Sequence, residues 1–218
     1  MYYKAIFFDV DETLYPSGSN LVGVVESRMN RFIDEQFAKG RFGSVRPSRD
    51  KLYQTYGTTA KGLNVEHHVD TFEFMHYINE FDLSPHLSAS DEVRSMIRRI
   101  PLKKYLLTNA DRFHAQRVLR RLNLADCFDG MIDSIDIFPD IKPSRKAYEF
   151  ALRITNETDP TKCIFVDDKN ENITTAHELG FFAVQVGLGE VSPVADAVIA
   201  EITDLPKLGL YQEKPDTE

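Results

Sequence analysis

The chain has 218 residues, long enough for one large domain or for a core with a smaller insert. With 42% hydrophobic and 28% charged residues, its composition is typical of a globular protein. Its formal net charge of −8 argues against a nucleic-acid polymer as partner, because binding to phosphate backbones needs basic patches. No apolar run approaches the roughly 20 residues that span a bilayer, and the N-terminus lacks the pattern of a secretory signal, so we expect no membrane partner and a cytoplasmic location.

The first predicted element is a strand over residues 4–10, where a short apolar run ends in two carboxylates, Asp9 and Asp11, followed by Thr13. Residues two apart on a strand share a face and, at roughly 3.3 Å per residue, lie about 6.6 Å apart, so one phosphate and one cation could sit between the carboxylates. One carboxylate could attack while the other moves a proton. An acidic turn is the alternative interpretation, because Asp and Thr are common turn residues.

A helical segment is predicted next, over residues 16–90. Apolar side chains at three- and four-residue spacing predict a helix over residues 21–39, which Gly40 would end. Three further helical pieces are predicted over residues 48–62, 66–80 and 90–99, and Gly57 interrupts the first of them. Because nothing in this segment indicates a strand, we expect a helical cap domain inserted after the first strand.

From residue 103 onward the pattern alternates between strands and helices. The predicted strands cover residues 103–107, 131–137, 162–166 and 182–186, and the predicted helices cover residues 111–123, 144–155 and 171–180. Such alternation indicates an α/β fold, a Rossmann-like parallel sheet with helices on both faces, which the strand at 4–10 must join. The predicted core is therefore residues 1–15 and 91–218, with the cap at residues 16–90 and a frayed tail from residue 212.

Four segments place polar side chains near the predicted strand ends, where ligands bind in open parallel sheets. These side chains are Asp9 with Asp11, Thr108 with Asn109, Lys142, and Asp167 with Asp168. Each has an ordinary alternative. Thr108 and Asn109 could simply begin a helix, Lys142 could be a solvated loop lysine before a proline, and the pair at 167–168 could favour the N-terminus of the next helix.

In this order, the four motifs resemble those of the haloacid dehalogenase-like hydrolase superfamily, and the resemblance covers nearly the whole chain. It implies that Asp9 is a nucleophile that forms an aspartyl-phosphate and that Asp11 is the general acid and base. Thr108 and Lys142 would hold the phosphoryl oxygens, and Asn109 would join them in binding substrate. A carboxylate nucleophile divides the hydrolysis of an inert monoester into two easier steps.

The resemblance also implies Mg²⁺ as the cofactor. Asp9, the backbone carbonyl of Asp11 and Asp168 would bind the ion, and Asp167 would either bind it directly or support the other ligands. Mg²⁺ prefers oxygen ligands in near-octahedral geometry, which suits carboxylates and a substrate phosphate. Asn172 resembles a supporting position of the last motif, but it could equally be an amide on a helix surface.

The carboxylate of Asp11 indicates the type of reaction, because dehalogenases of this superfamily lack a carboxylate at that position. The expected substrate is therefore a phosphate monoester. Residues 7–16, 56–59 and 114–119 are similar to the pyrimidine 5′-nucleotidase-like branch of the phosphatases. This similarity implies a small phosphorylated metabolite as partner, a nucleoside 5′-monophosphate, and we expect a monomer or a homodimer.

Within the predicted cap, Tyr56, Thr58 and Thr59 are the candidate residues for binding the leaving group of the substrate. The alternative is that they pack the cap, since aromatic residues at helical spacing usually lie in a core. We expect the cap to open and close about hinges near residues 15–20 and 82–90, both of which are rich in turn residues.

Two other functions fit the same core. A phosphotransferase or phosphomutase that acts on sugar phosphates would use the same aspartyl-phosphate and pass the group to a sugar phosphate instead of water. A catalytically silent binding domain would need at least one motif residue to be lost, and none is lost here.

Overall fold

The computed structural model of the protein describes residues 3–212, so the predicted frayed tail lies outside the described residues from residue 213 onward. The chain forms two compact units. One combines the N-terminal segment through Ser19 with the chain from Leu87 onward, and the other is Asn20–His86. The range of the predicted insert, residues 16–90, contains all residues of the second unit.

A six-stranded parallel sheet organises the first unit, in the order β3-β2-β1-β4-β5-β6. The strands are β1 (Ala5–Phe8), β2 (Lys103–Leu107), β3 (Gly130–Ile132), β4 (Cys163–Asp167), β5 (Phe182–Val186) and β6 (Ala197–Ile199). Phe8 at the end of β1 pairs with Leu106 and with Val166, so three central strands end at nearly the same level. The sheet and its connecting helices confirm the predicted Rossmann-like α/β class.

Helices connect the strands and form the second unit. The α-helices of the described chain are α1 (Leu21–Ala38), α2 (Arg49–Tyr56), α3 (Thr59–His67), α4 (Thr71–Asn79), α5 (Asp91–Arg99), α6 (Arg112–Arg121), α7 (Arg145–Ile154) and α8 (Asn170–Glu178). Within residues 3–212, no helix is both long enough and apolar enough to cross a membrane.

The core of the first unit explains why its central strands are almost wholly apolar. All four residues of β1 and all five of β4 are buried, as expected for parallel strands covered on both faces. Phe181 packs edge-on against Phe7 and Phe165, with ring centroids 5.9 and 6.1 Å apart. This packing fixes where β1 and β4 end along the sheet, and therefore where the carboxylates at their ends lie.

The second unit has a core of its own, built around Phe32, Leu63 and Phe74. Helices α2 and α3 approach closely there, because a Cβ atom at Gly62 would lie only 2.8 Å from the side chain of Leu52. The interruption predicted at Gly57, within the helical piece at 48–62, is confirmed. The chain breaks at Gly57, whose φ of 80° ends α2.

Two other predicted elements differ from the structure, and some observed elements were not predicted. The piece at 66–80 begins at Thr71 instead, since His68 ends α3 with a left-handed φ of 54°. The extended segment at 131–137 is a strand only through Ile132, because the Asp133 carboxylate accepts the N–H of Ile135 at 2.8 Å and turns the chain. Strand β6 and a 3-10 helix at Ile202–Leu208 were not predicted.

Candidate active site

The two N-terminal carboxylates follow β1 at the carboxyl edge of the sheet. The backbone N–H of Asp9 donates to the carbonyl of Val166 at 2.9 Å, which ties this residue to β4. Beyond it the chain turns. Glu12 has a left-handed φ of 58°, and the N–H of Leu14 donates to the carbonyl of Val10 at 3.1 Å. The prediction of a strand through Val10 is therefore wrong, and a turn, not strand alternation, places Asp11.

Lys142 lies at the centre of the site. Its Nζ atom is 3.0 Å from Oδ1 of Asp9 and 2.7 Å from Oδ2 of Asp167, and the residue is only 2% exposed. Burial alone would lower the pKa of Lys142, but the carboxylates of Asp167 and Asp9 outweigh burial and raise it above its ordinary value. The lysine is therefore held as a cation and is not a solvated loop residue.

Asp167 is fully hydrogen-bonded inside the protein. Besides Lys142, the side-chain amide of Asn172 donates to both of its oxygens at 3.0 Å, and the backbone N–H of Lys169 donates to Oδ1 at 2.9 Å. Asn172 is 2% exposed, so it is a buried partner of Asp167 and not a surface amide. These bonds favour a supporting role for Asp167 over direct ligation of a metal.

Three carboxylates lie close to one another, and two of them contact Lys142. Asp9, Asp167 and Asp168 each offer an oxygen within 4.8 Å of the others, and Oδ1 of Asp168 is buried with no hydrogen-bond partner among residues 3–212. Burial, followed by the neighbouring carboxylates, raises the pKa of Asp168 to about 7. For Asp9, burial and the charges of Asp167 and Asp11 outweigh Lys142 and raise the pKa to about 6. A divalent cation that binds oxygen fits this excess of negative charge.

Gln185 holds the backbone next to the unpartnered carboxylate. Its amide nitrogen donates to the carbonyl of Asp168 at 3.2 Å and to that of Glu190 at 2.8 Å, while its oxygen accepts the N–H of Ser192 at 2.7 Å. Gln185 is buried and lies on β5, opposite Asp167. The position of Asp168 is thus set by two adjacent strands.

Thr108 and Asn109 follow β2. The hydroxyl oxygen of Thr108 accepts the N–H of Ala110 at 3.0 Å, which leaves its own O–H to donate. The side chain of Asn109 pairs with the backbone of Lys142 in both directions, accepting its N–H at 3.0 Å and donating to its carbonyl at 2.8 Å. Asn109 therefore joins the ends of two segments and positions the lysine.

Asp11 has two partners that the sequence did not single out. The hydroxyl of Tyr15 donates to Oδ1 of Asp11 at 2.7 Å, and Nε2 of His114 lies 3.1 Å from the same oxygen. Burial would raise the pKa of Asp11, but the His114 ring and the two hydrogen bonds lower it below its ordinary value. Both partners lay within the stretches that carried the family resemblance, which was the only signal for them in the sequence.

The candidate cap residues Tyr56, Thr58 and Thr59 all lie in the second unit. Tyr56 donates its hydroxyl to Glu66 at 2.9 Å, and the Thr58 side chain caps α3 by accepting the N–H of Lys61 at 3.1 Å. Thr59 is buried at the start of α3. Each side chain thus has a local structural role, and their part in substrate binding stays a prediction.

Comparison with known proteins relates the chain to one family. The sequence profile of the haloacid dehalogenase-like hydrolases matches residues 3–180. Phosphate metabolism protein 8 of Saccharomyces cerevisiae is 25% identical over 193 residues, which are 81% of this chain and 59% of that protein. β-Phosphoglucomutase of Bacillus subtilis is 29% identical over 100 residues, which are 46% of this chain and 43% of that protein. The chain thus spans about half the length of these relatives.

Solved structures share the fold. The L-2-haloacid dehalogenase of Xanthobacter autotrophicus, with chloropropionic acid covalently bound, superposes with a TM-score of 0.59 at 19% identity, covering 95% of this chain and 98% of that one. At this identity the likeness concerns the fold and not the reaction.

Proposed function

This chain belongs to the haloacid dehalogenase-like hydrolase family, and from that premise we propose that it is a Mg²⁺-dependent phosphatase that hydrolyses a small phosphate monoester through an aspartyl-phosphate on Asp9. The observation that carries the proposal is the second carboxylate, Asp11, held two residues after Asp9 by Tyr15 and His114. A departing alkoxide needs a proton, whereas a departing halide does not, so a positioned proton donor favours a phosphate ester over a haloacid.

The proposed reaction has two half-reactions. A carboxylate oxygen of Asp9 attacks phosphorus, the ester P–O bond breaks, and the protonated form of Asp11, a minority at neutral pH because its pKa is lowered, gives its proton to the leaving oxygen. Asp11 then takes a proton from water as the water oxygen attacks phosphorus, and the bond between Asp9 and phosphorus breaks. Asp9, with a pKa of about 6, is ionised at neutral pH and can act as a nucleophile.

The remaining residues stabilise charge. Lys142 places a buried cation 3.0 Å from Asp9, beside the phosphorus under attack, and the O–H of Thr108 is available to donate to a phosphoryl oxygen. Asp9, Asp168 and the carbonyl of Asp11 would hold Mg²⁺, with Asp167 supporting them. When bound, the ion supplies charge that screens the repulsion between carboxylates and phosphate.

The direct test is a substrate screen with the purified protein and Mg²⁺. We expect phosphate release from nucleoside 5′-monophosphates and no halide release from 2-haloacids. Asp11→Asn should lose activity on alkyl phosphates by roughly 10²–10⁴-fold, the usual contribution of general acid–base catalysis. Halide release, or normal turnover of alkyl phosphates by this variant, would overturn the proposal.

A nucleoside 5′-monophosphate is the substrate that we propose within the monoesters. The support is the similarity of residues 7–16, 56–59 and 114–119 to the pyrimidine 5′-nucleotidase-like branch. Comparing kcat/KM across the nucleoside monophosphates, sugar phosphates and cofactor phosphates tests it, since a sugar phosphate as the best substrate would remove this assignment.

The cytoplasmic location also stays a prediction, which fractionation of source cells would test.

Phosphotransfer to a sugar phosphate is the second candidate. The similarity to β-phosphoglucomutase over 100 residues favours it. Both reactions begin with the same aspartyl-phosphate and differ in the acceptor. Mixing substrate with an added hexose phosphate and following labelled phosphate separates them, because a hydrolase delivers the label to water and a mutase delivers it to the sugar.

A further inference from the structure

We propose that His114 and Tyr15 form a clamp on Asp11, which fixes its carboxylate so that Oδ2 is the atom that carries the proton. The inference rests on the proposed function, in which Asp11 is the proton-transfer residue. Both partners contact the same oxygen, Oδ1, at 2.7 Å for the tyrosine hydroxyl and 3.1 Å for the histidine nitrogen. His114 and Tyr15 are positioning residues in this scheme.

The chemistry of the three groups determines the direction of both bonds. Oδ1 is an acceptor whether the carboxyl is ionised or carries its proton on Oδ2, so the O–H of Tyr15 and the Nε2–H of His114 both donate to Oδ1. Two donors on one oxygen draw its electron density and stop rotation of the carboxylate. The other oxygen, Oδ2, is then the more basic atom and has one defined direction. Because a proton transfer needs the acceptor within hydrogen-bond reach, fixing that direction raises the rate.

Burial is arranged as such a clamp requires. The side chain of Asp11 is 25% exposed and that of His114 is 6% exposed, so the acceptor is partly open to solvent while the donor is buried. Tyr15 is 4% exposed. Water therefore competes little with the two donors for Oδ1, and hydrogen bonds to a charged group are among the stronger ones.

The histidine is itself held in place by the start of α6. The carboxylate of Asp111 caps this helix and accepts the backbone N–H of His114 at 3.1 Å and that of Phe113 at 2.9 Å. Arg112 ties the same turn to the buried Asp133 at 2.6 Å. The histidine of the clamp thus lies on the helix that follows Thr108 and Asn109.

The second ring nitrogen of His114 argues against a purely structural role. Its Nδ1 atom is buried with no hydrogen-bond partner among residues 3–212. A buried polar atom without a partner costs stability, so leucine would fill the same space more favourably. The one polar contact that the ring makes in the described chain is the one with Asp11, and this contact is what distinguishes histidine from an apolar residue there.

Three variants separate the roles of size and hydrogen bonding. His114→Gln keeps an N–H donor near the position of Nε2, His114→Leu removes it at similar size, and Tyr15→Phe removes only a hydroxyl. With Mg²⁺ present, His114→Leu should lower kcat/KM for nucleoside 5′-monophosphates about 10–100-fold, part of the 10²–10⁴-fold effect of a general acid. For para-nitrophenyl phosphate, whose leaving group needs no proton, the loss should stay below about 3-fold.

The glutamine variant is the matched control and should stay within about 5-fold of the wild type on both substrates. Tyr15→Phe should show the same preference as His114→Leu at smaller amplitude. It also keeps the test valid if the leucine variant folds poorly. In an Asp11→Asn background, where no proton is transferred through a carboxylate, His114→Leu should cause no further loss.

Two results would overturn the clamp. One is an equal loss on both substrates in His114→Leu and Tyr15→Phe, and the other is a further full loss when His114→Leu is added to Asp11→Asn. Failure of the proposed function looks different, because the wild-type protein would then hydrolyse neither substrate, and the clamp would fall with it.

Discussion

Replacing Lys142 by methionine tests the electrostatic account of the site. The substitution keeps the length of the side chain but removes a buried cation from between Asp9 and Asp167. We expect a large loss of stability in the metal-free protein, because the two carboxylates then face each other and Asp168 without a compensating charge. Breaking a buried ion pair on one side is strongly destabilising for this reason.

The magnitude follows from the distances. At an effective dielectric constant of about 20, unit charges at 3.0 and 2.7 Å attract each other by about 5.5 and 6 kcal/mol. Removing the ammonium group also removes its own desolvation cost of several kcal/mol, so the net loss should be about 3–5 kcal/mol. For a chain of this length, that corresponds to a decrease in Tm of about 6–20 °C.

The assay is thermal unfolding in the presence of a chelator. Lys146→Met is the matched control, because that lysine makes the same kind of pair with Asp140 at 3.2 Å but has a side chain that is 72% exposed. An exposed pair contributes at most about 1 kcal/mol, so the control should lose less than about 4 °C. Adding Mg²⁺ should reduce the difference in Tm between Lys142→Met and the wild type, because the cation compensates part of the carboxylate charge. Equal Tm values for the two variants in chelator would refute the reasoning.

Three further predictions concern activity. Asp9→Asn should fold and bind substrate yet lose turnover by several orders of magnitude, which steady-state kinetics on a nucleoside monophosphate checks, and retained activity would exclude Asp9 as the nucleophile. Chelator should abolish activity, Mg²⁺ should restore it and Ca²⁺ should inhibit, because the looser coordination of Ca²⁺ holds the reacting oxygens less precisely. Full activity after thorough metal removal, measured with metal analysis alongside, would exclude the cofactor. Tyr56→Phe removes only the hydroxyl that contacts Glu66. It should change the ranking of nucleotide substrates by kcat/KM more than it changes the hydrolysis of an aryl phosphate. Equal losses on all substrates would mean that Tyr56 only stabilises its own unit.

The sequence predicted the parts of the site that depend on strand ends. Asp9, Thr108 and Asp167 lie at or directly after parallel strands, and such strands end at a common edge whatever their exact register. Lys142 was predicted from its place in the order of motifs. For the three strand-end residues a local pattern carries the information, whereas the position of Lys142 came from the family resemblance.

The contact between Asp11 and His114 could not be predicted from the sequence, because it joins residues 103 positions apart. Nothing in the local pattern distinguishes this histidine from one on any amphipathic helix. The prediction of an extended segment at 131–137 was wrong for a local reason. A hydrogen bond to the Asp133 side chain forms a turn in a run that has strand propensity. Strand β6 has only three residues, too few for its alternation to stand out.

The central claim is that a covalent phosphate forms on Asp9. Sodium borohydride reduces an acyl phosphate to an alcohol, so quenching the enzyme with borohydride during turnover converts a phosphorylated aspartate into homoserine, which peptide mass spectrometry locates. The account predicts homoserine at position 9 with substrate and Mg²⁺, and none without substrate or in Asp9→Asn. Turnover that leaves Asp9 unmodified, or homoserine at a different aspartate, would contradict it.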